Sequence, residues 1–407
     1  MYFKRKNKSG ISPAKISWRK FRTSKIALAS LIWIMLNMVL AIAGYLITPD
    51  STPFANNQQL EIRTHYPGTT INMLLVKKNQ PEKKCSFFEK MLYGCEASST
   101  SYPFSTFEIS ESEVNILSYS GSQDTPGLER SFNLADILFA INVDSAVYLK
   151  NDSLHFTSYS GNHVSAALIE LQNEIRKNHI VTKSYLLGTD QFGRDLLSQL
   201  IIGTRVSLSV GLIAVLISLL IGVTLGSIGG FFRGRIDDFI IWLINIIWSV
   251  PTLILVIAIT FAIGKGFWQV FIAVGLTMWV DVARVTRGQI ISLREKEFVE
   301  AARALGINTY RIITKHILPN IYGPLIVISA ANFASAILIE AGLSFLGMGV
   351  QPPIPSWGSM IKENYGYIIL DKAYLAILPG LAIMLMVLSF LLAGNSLRDA
   401  LDKTNSN

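Results

Sequence analysis

The chain is short of charge: only 16% of its 407 residues are Asp, Glu, Lys or Arg, against about 25% in an average soluble domain. Half of the residues are hydrophobic, and the mean hydropathy is +0.40. The sequence also lacks a G-x-x-x-x-G-K-[ST] phosphate loop, an HExxH pair, a nucleophile elbow and a paired Cys/His ligand set. We therefore expect an integral membrane protein with no enzyme active site and no metal site.

Cysteine is also scarce, and the two that occur, Cys85 and Cys95, lie in one polar segment. Their C-x9-C spacing is too wide for a usual zinc knuckle, and no paired histidines stand nearby. If the segment lies outside the cytoplasm, a disulfide between them is expected. Two unrelated thiols are the alternative.

The net charge of +8 is concentrated at the N-terminus, where residues 1–25 contain nine basic residues and no acid. A basic flank beside an apolar run is typical of the cytoplasmic side of a membrane helix. No aromatic-basic platform accompanies the charge, so we expect no nucleic-acid partner. The nine are Lys4, Arg5, Lys6, Lys8, Lys15, Arg19, Lys20, Arg22 and Lys25.

Six apolar runs are long enough to predict transmembrane helices. The first, 26–47, would be roughly 33 Å long as a helix, and it exceeds a typical signal-peptide core, so we expect it to be an uncleaved span. Pro251 is expected to kink the third span. Gly222, Gly226 and Gly230 share one face of the second, which lets another helix approach closely. The later spans are predicted at about 206–231, 239–263, 267–282, 321–346 and 373–393.

These spans divide the chain into five parts. They are a basic N-terminus (1–25), the first transmembrane helix (26–47), an extracytoplasmic insert with a pre-membrane helix (48–203), a transmembrane domain (204–394) with a charged loop at 283–320, and a tail (395–407). Counting crossings from a cytoplasmic N-terminus places the basic loops and the C-terminus inside and the insert outside.

The polar part of the insert, 48–184, gives mixed signals. We predict short strands at 60–66, 71–76, 114–119 and 146–150, and a helix with one face formed by Val164, Leu168, Leu171 and Ile175. After it, Thr189 or Asp190 is expected to cap the helix that leads into the second span.

The charged loop contains the strongest helix signal outside the membrane. Residues 297–305 favour a helix, on which Ala301 and Ala302 are expected to present a flat surface to a partner. Gly306 can adopt the left-handed conformation that ends this helix. A second short helix is predicted at 310–317. Without a partner, the loop would be an amphipathic hairpin on the membrane surface.

The order Glu300-Ala301-Ala302, Gly306 and Leu318-Pro319 resembles the EAA signature of ABC importer permeases. His316 stands where that signature usually has Ile. Three further groups of stretches resemble the C-type subunit of the dipeptide/oligopeptide/nickel branch, and the resemblance is strong over about 186–402 and weak over 1–47. They are 187–195, 340–347 with 352–358, and 379–380 with 397–402. The insert is longer than the family leads us to expect.

The resemblance implies an all-α polytopic membrane protein with six transmembrane helices, the type I ABC importer permease fold, carrying a mixed α/β extracytoplasmic insert between helices 1 and 2. It also implies an ATP-driven importer of di- or oligopeptides in the bacterial cytoplasmic (inner) membrane. The partners would be a second homologous permease subunit, two ABC ATPase subunits and an extracytoplasmic solute-binding protein. ATP would bind the ATPases, and this chain would hold no cofactor. The residues expected to couple to the ATPase are Glu300, Ala301, Ala302, Arg303, Leu305, Gly306, Leu318 and Pro319.

Other functions remain open from sequence. The same machinery could import nickel-chelates or another small solute. An ion-coupled secondary transporter would need paired intramembrane charges, for which Glu340 and Asp281 are the candidates. A membrane-anchored receptor would leave the charged loop unexplained. Glu340 is either a functional intramembrane acid or a buried helix–helix hydrogen-bonding group.

Overall fold

The computed structural model describes residues 13–81, 85–121, 127–142, 146–264 and 266–402. The parts of the predicted basic N-terminus and tail at 1–12 and 403–407 lie outside the described residues. So does Lys265, which belongs to a turn expected between the third and fourth spans.

Two helices precede the insert, α1 (Pro13–Thr23) and α2 (Lys25–Ile47). The Ser24 side chain accepts a hydrogen bond from the Ala27 amide and so caps α2. α2 carries no charge after its first residue, and its 23 residues give roughly 35 Å, enough to cross a bilayer. Phe21 of α1 packs with Ala27 and with Ala400, so the first and last described helices meet at one end of the molecule.

The insert is built on a five-stranded antiparallel sheet in the order β4-β3-β2-β1-β8, with a separate three-stranded sheet in the order β5-β6-β7. Leu74 of β1 joins the main core with Phe104 and Ile175. Its neighbour Met73 points to the other face, where it packs with Tyr185. The strands are β1 (Thr69–Lys77), β2 (Ser99–Ile109), β3 (Glu113–Ser118), β4 (Glu129–Asn133), β5 (Tyr148–Lys150), β6 (Ser153–Thr157), β7 (His163–Ala167) and β8 (Ile180–Tyr185). The helices are α3 (Phe87–Tyr93), α4 (Leu134–Leu138) and α5 (Leu168–Glu174).

Two local expectations for the insert are wrong. No strand forms at 60–66, because the Gln59 and Thr64 amides donate to carbonyls of the 190–193 loop and not to a neighbouring strand. Val164 does not lie on the helix that begins at Leu168; it belongs to β7, where it pairs with Phe156. The mixed α/β character of the insert is confirmed.

The rest of the described chain is helical. Its helices are α6 (Leu196–Phe232), α7 (Gly234–Trp248), α8 (Thr252–Ile263), α9 (Phe267–Arg294), α10 (Glu297–Ala304), α11 (Thr309–Arg311), α12 (Leu318–Phe345), α13 (Trp357–Asn364) and α14 (Tyr374–Asp402). A π-helical turn, Ile312–Ile317, joins α11 to α12. Among the described residues, five helices are long and apolar enough to cross a membrane, or six spans if one bent pair counts as a span.

The bent pair corrects the expectation of a kinked third span. α7 and α8 meet at 92°, which is a break and not a kink. Pro251 stands at the start of α8 in an extended conformation (φ −54°, ψ 128°). Because proline has no amide hydrogen and disfavours a helical residue before it, the helical hydrogen bonds do not continue across this point.

α6 is the longest helix, and it packs most closely against α9. Its 37 residues give roughly 55 Å, more than the thickness of a bilayer core of about 30 Å. A Cβ added at Gly222 would lie 2.5 Å from the Val282 Cβ, and one at Gly226 would lie 2.5 Å from the Ala283 carbonyl oxygen. The glycine face therefore serves helix packing, as the sequence predicts.

The insert is attached to the membrane helices through the loop that precedes α6. The Thr189 hydroxyl donates to the Ile62 carbonyl at 2.5 Å and accepts from the His65 amide at 2.9 Å. The Tyr374 hydroxyl, at the start of α14, donates to the His65 carbonyl at 2.7 Å. The expectation that Thr189 or Asp190 caps α6 is wrong. Asp195 caps it, by accepting a hydrogen bond from the Ser198 amide at 2.9 Å.

Arg194 ties this loop to α13. Its Nε lies 2.6 Å from an Asp190 carboxylate oxygen and its Nη2 lies 2.5 Å from one of Glu363, and its side chain is 5% exposed. Burial raises the pKa of Glu363 above its usual 4.5, although the Arg194 charge lowers it.

We predict that alanine at Gly226 separates α6 from α9, since the new methyl group meets backbone. Gly226→Ala should lower the thermal unfolding midpoint in detergent. Gly288, on the exposed side of α9, has nothing within 4 Å of an added Cβ. Gly288→Ala should be neutral or slightly stabilising, because alanine favours a helix over glycine by about 1 kcal/mol. Equal midpoints for the two variants would contradict close packing at Gly226.

We predict that Arg194→Ala destabilises the folded protein far more than Glu363→Gln does. Removing the arginine leaves two carboxylates without their counter-charge, at a cost of roughly 3–5 kcal/mol. Glutamine keeps an oxygen for Arg194 and removes a charge that burial disfavours. Since the folded-state pKa of Glu363 is raised, its contribution to stability is present below pH 4.5 and is lost as the pH rises through the raised value. The thermal unfolding midpoint of Glu363→Gln, relative to that of wild type, should therefore rise as the pH rises through this range. A difference in midpoint that stays constant with pH would contradict this.

Candidate functional site

The charged loop lies at the end of α6 that is farthest from the insert. α10 is attached there by its inner face, where Val299 is fully buried and Ala302 is 4% exposed. Both pack in one cluster with Phe231 at the end of α6 and with Ile312 and Ile317 ahead of α12. This cluster therefore connects α10 to helices on both sides of it.

The position of Ala302 corrects the expectation that it faces a partner together with Ala301. Ala301 is exposed, whereas Ala302 belongs to the hydrophobic cluster. Residues one apart on a helix lie about 100° apart around its axis, so the two alanines cannot share a face once one of them is buried. The surface open to a partner is formed by other residues.

That surface is apolar and belongs to α10 and the turn after it. Phe298 is 42% exposed and Leu305 is 80% exposed, with the exposed Ala301 between them at helical spacing. Tyr310, on the following helical turn, is 75% exposed. We call Phe298, Ala301, Leu305 and Tyr310 the loop surface.

The remaining predicted coupling residues surround this surface. Gly306 has a φ of +71°, the left-handed conformation that ends α10, and the Ile307 amide donates to the Ala302 carbonyl at 3.1 Å. Leu318 is half-buried beside the cluster, and Pro319 is exposed in the first turn of α12. The exposed side chains also include Glu300 and Arg303.

Three cationic side chains hold this end of the bundle together, and two of them, Arg287 and Arg294, are not among the predicted coupling residues. Arg287 of α9 makes two hydrogen bonds to the Asp237 carboxylate of α7, at 2.5 and 2.7 Å. Arg294 donates to the Phe231 carbonyl at 2.5 Å. The Arg303 guanidinium lies 4.9 Å from the centre of the Phe231 ring.

A cavity of about 260 Å³ opens beside the break between α7 and α8. Polar groups gather here in an otherwise apolar bundle: Asp281 is exposed, and Asn332 is 4% exposed and donates to the Met278 carbonyl at 3.3 Å. The lining residues are Ile247, Trp248, Thr252, Leu255, Thr277, Met278, Val280, Asp281, Asn332, Ser335 and Ile339. The cavity is thus enclosed by α7, α8, α9 and α12.

Glu340 does not line this cavity. It is completely buried in α12, and its Oε1 accepts a hydrogen bond of 2.7 Å from Ser344, one turn later in the same helix. The Ser356 hydroxyl, at the start of α13, donates to the Ser344 hydroxyl at 3.3 Å. The Oε2 of Glu340 has no partner among the described residues. These contacts favour the interpretation of Glu340 as a buried hydrogen-bonding group. The hydrogen bonds lead from Glu340 through Ser344 to Ser356 at the start of the short helix α13, and not to a spanning helix.

Cys85 and Cys95 form a disulfide that closes the segment around α3, with their Cα atoms 6.1 Å apart. Within the described ranges, no three His, Cys, Asp or Glu side chains are grouped so that they could hold a metal ion.

Comparison with known proteins finds two matching families. The family described as binding-protein-dependent transport system inner membrane component matches residues 222–406. The family described as N-terminal TM domain of oligopeptide transport permease C matches residues 12–65. The strands β1–β8 lie outside both ranges.

The match to individual relatives extends over most of each relative's length. A glutathione transport system permease protein of Pectobacterium atrosepticum is 37% identical over 227 residues, 56% of this chain and 75% of the relative. A di/tripeptide transport system permease protein of Pseudomonas aeruginosa is 43% identical over 219 residues, 54% of this chain and 72% of the relative. Among solved structures, an inward-facing methionine ABC transporter is similar with a TM-score of 0.43 and 19% identity, over 51% of this chain and 97% of that chain.

We predict that Glu340→Gln folds and transports like wild type, because glutamine retains the acceptor for Ser344. Glu340→Leu should lower the unfolding midpoint, since it leaves the buried Ser344 hydroxyl without its acceptor. Uptake in proteoliposomes and thermal unfolding measure the two effects. A Glu340→Gln variant with a normal midpoint and no uptake would contradict the structural role.

Proposed function

Because the chain belongs to the binding-protein-dependent inner membrane transport components, the permeases of ABC importers, we propose that it forms half of a translocation path for short peptides. The two relatives described above are named for di/tripeptides and for glutathione, which is itself a tripeptide. Short peptides are thus the substrate class that these relatives share. The same path could carry a nickel-chelate or another small solute, and the experiment below distinguishes these cargoes.

The loop surface is the docking site for an ATPase subunit, and one observation carries this proposal. α10 is buried on one side, through Val299 and Ala302, and carries exposed apolar side chains on another. A packed cluster has few voids and transmits displacement. When a partner moves α10, the ends of α6, α9 and α12 therefore move with it.

Charge and the disulfide support an orientation with the loop in the cytoplasm and the insert outside it. Arg294, Lys296, Arg303, Arg311 and Lys315 surround the loop, as expected of a cytoplasmic face. α1 and the end of α14 contact each other, which supports both termini on one side, the cytoplasm. A disulfide supports an insert outside the cytoplasm, in an oxidising compartment.

The cavity beside the α7–α8 break is the section of the path that this chain contributes. Irregular backbone at membrane depth is tolerated where it is buried in protein or lines a cavity, and here polar groups of α9 and α12 face it. A second, homologous permease subunit completes the path, two ATPase subunits bind the ATP, and a solute-binding protein delivers the peptide. This chain needs no cofactor or catalytic centre of its own.

The docking proposal predicts that a charge on the loop surface uncouples the transporter without unfolding it. Leu305→Glu, in a chain co-expressed with its cognate partners, should lose most of the co-purified ATPase and most of the uptake of a labelled tripeptide in proteoliposomes. Its unfolding midpoint should stay that of wild type because the side chain is exposed.

Ile169→Glu is the matched control. Ile169 is 68% exposed on α5 of the insert, away from the loop surface, so this variant should keep both ATPase and uptake. Full ATPase recovery and uptake in Leu305→Glu would refute the docking site. Uptake of a labelled nickel-chelate but of no peptide by the wild-type transporter would refute the peptide cargo. That result would not affect the docking site.

A further inference from the structure

The short helix α3 of the insert exposes an unusual amount of apolar surface. None of its seven residues is buried. Phe87, Phe88 and Tyr93 are 62%, 68% and 70% exposed, and Leu92 is 47% exposed. Single exposed apolar side chains are ordinary on a protein surface, but a contiguous group of this size marks an interaction site.

The depth of α3 identifies what it meets. Arg205 of α6 donates from one guanidinium group to the Ala41 and Ile42 carbonyls of α2, at 2.7 and 3.1 Å, and to the Met91 and Leu92 carbonyls of α3. The last turn of α3 therefore lies beside residues 41–42 of α2. Ala41 precedes the end of α2 by six residues, which is roughly 9 Å along the helix.

The last turn of α3 therefore lies alongside α2, short of the end of that helix. Interfacial amphipathic helices bury their apolar faces about 5–10 Å into the boundary between headgroups and acyl chains. With the membrane boundary at the end of α2, the level of Ala41 falls within this depth.

The apolar surface of α3 also continues an exposed apolar surface of α2. Around the same level, α2 exposes Ile42 at 59%, Leu46 at 39% and Ile47 at 54%. Interfacial helices typically carry basic residues on the polar face and Trp, Phe or Leu on the apolar face, and α3 supplies two phenylalanines, a leucine and the exposed Lys90.

Several contacts hold α3 at this position. The Cys85–Cys95 disulfide closes the segment, and the Cys95 amide donates to the Ser51 carbonyl at 2.8 Å. The Arg205 guanidinium lies 5.0 Å from the centre of the Tyr45 ring. The segment is thus fastened both to α2 and to the residues that follow it.

We propose that the disulfide-closed segment 85–95 is an interfacial anchor whose apolar side chains lie in the bilayer leaflet on the insert side. The ligand is lipid, namely the acyl chains just below the headgroups. The anchor holds the insert against the membrane at a point separate from the Thr189 and Tyr374 contacts. This proposal requires only that α2 spans the membrane; it depends on neither the peptide cargo nor the ATPase.

Electron paramagnetic resonance tests the depth directly. p-Acetylphenylalanine at Phe88 or, in a second variant, at Tyr93 accepts a ketone-reactive nitroxide and leaves the disulfide intact. The assembled transporter is placed in nanodiscs of phosphatidylcholine and phosphatidylglycerol. Collision rates with oxygen, which partitions into lipid, and with a water-soluble nickel chelate are then compared.

Two sites serve as controls. Ile42 on α2 should report lipid. Ile169 should report water. Its helix, α5, packs through Leu171 on the face of the sheet that carries Leu74. The membrane domain adjoins the opposite face, where Met73 packs with Ile62.

The expected result is a high oxygen rate and a low nickel rate at Phe88 and Tyr93, as at Ile42. A nickel rate at both α3 sites equal to that at Ile169 would overturn the anchor by placing α3 in water. Low rates for both reagents would overturn it differently, since they would show that another protein covers α3.

Discussion

The close contact of α6 with α9 is the constraint on which the rest of the molecule depends. Glycines on α6 bring it so near to α9 that an added Cβ would overlap Val282 or the Ala283 carbonyl. α6 is also longer than the membrane is thick. Its first turns and Arg205 hold the insert, and Phe231 at its other end enters the cluster beneath α10. One rigid pair of helices therefore fixes the distance between the insert and the loop surface.

The membrane domain has two irregular features, and both contact this rigid pair. At the break before α8, the helix direction changes by 92° and a cavity opens against α9 and α12. At the loop end, α10 reaches the same helices through Val299 and Ala302. α10 and the cavity thus contact the same two helices, α9 and α12, which is the connection that our proposal of a separate ATPase requires.

Sequence predicted the features that depend on residue identity over short distances. The apolar runs gave the long helices, the glycine spacing gave the α6–α9 face, and Gly306 gave the left-handed end of α10. It did not predict which way Ala302 points, because burial depends on a cluster assembled from distant parts of the chain, Phe231 and Ile312 among them. The same reason applies at 60–66, where the backbone bonds with the 190–193 loop, and at Asp237 and Arg287, which lie 50 residues apart. The contact of α3 with α2 depends on Arg205, to which sequence assigned no partner.

The central claim is that the loop surface touches an ATPase subunit, and site-specific cross-linking measures this contact. A photoreactive benzoylphenylalanine at Leu305 is compared with one at Tyr322, which is 56% exposed on α12 beside the apolar groove with α6. In the assembled transporter, irradiation should join the Leu305 site to the ATPase subunit and give no such product from Tyr322. Absence of the ATPase adduct at Leu305, in a complex that still hydrolyses ATP, would contradict the account.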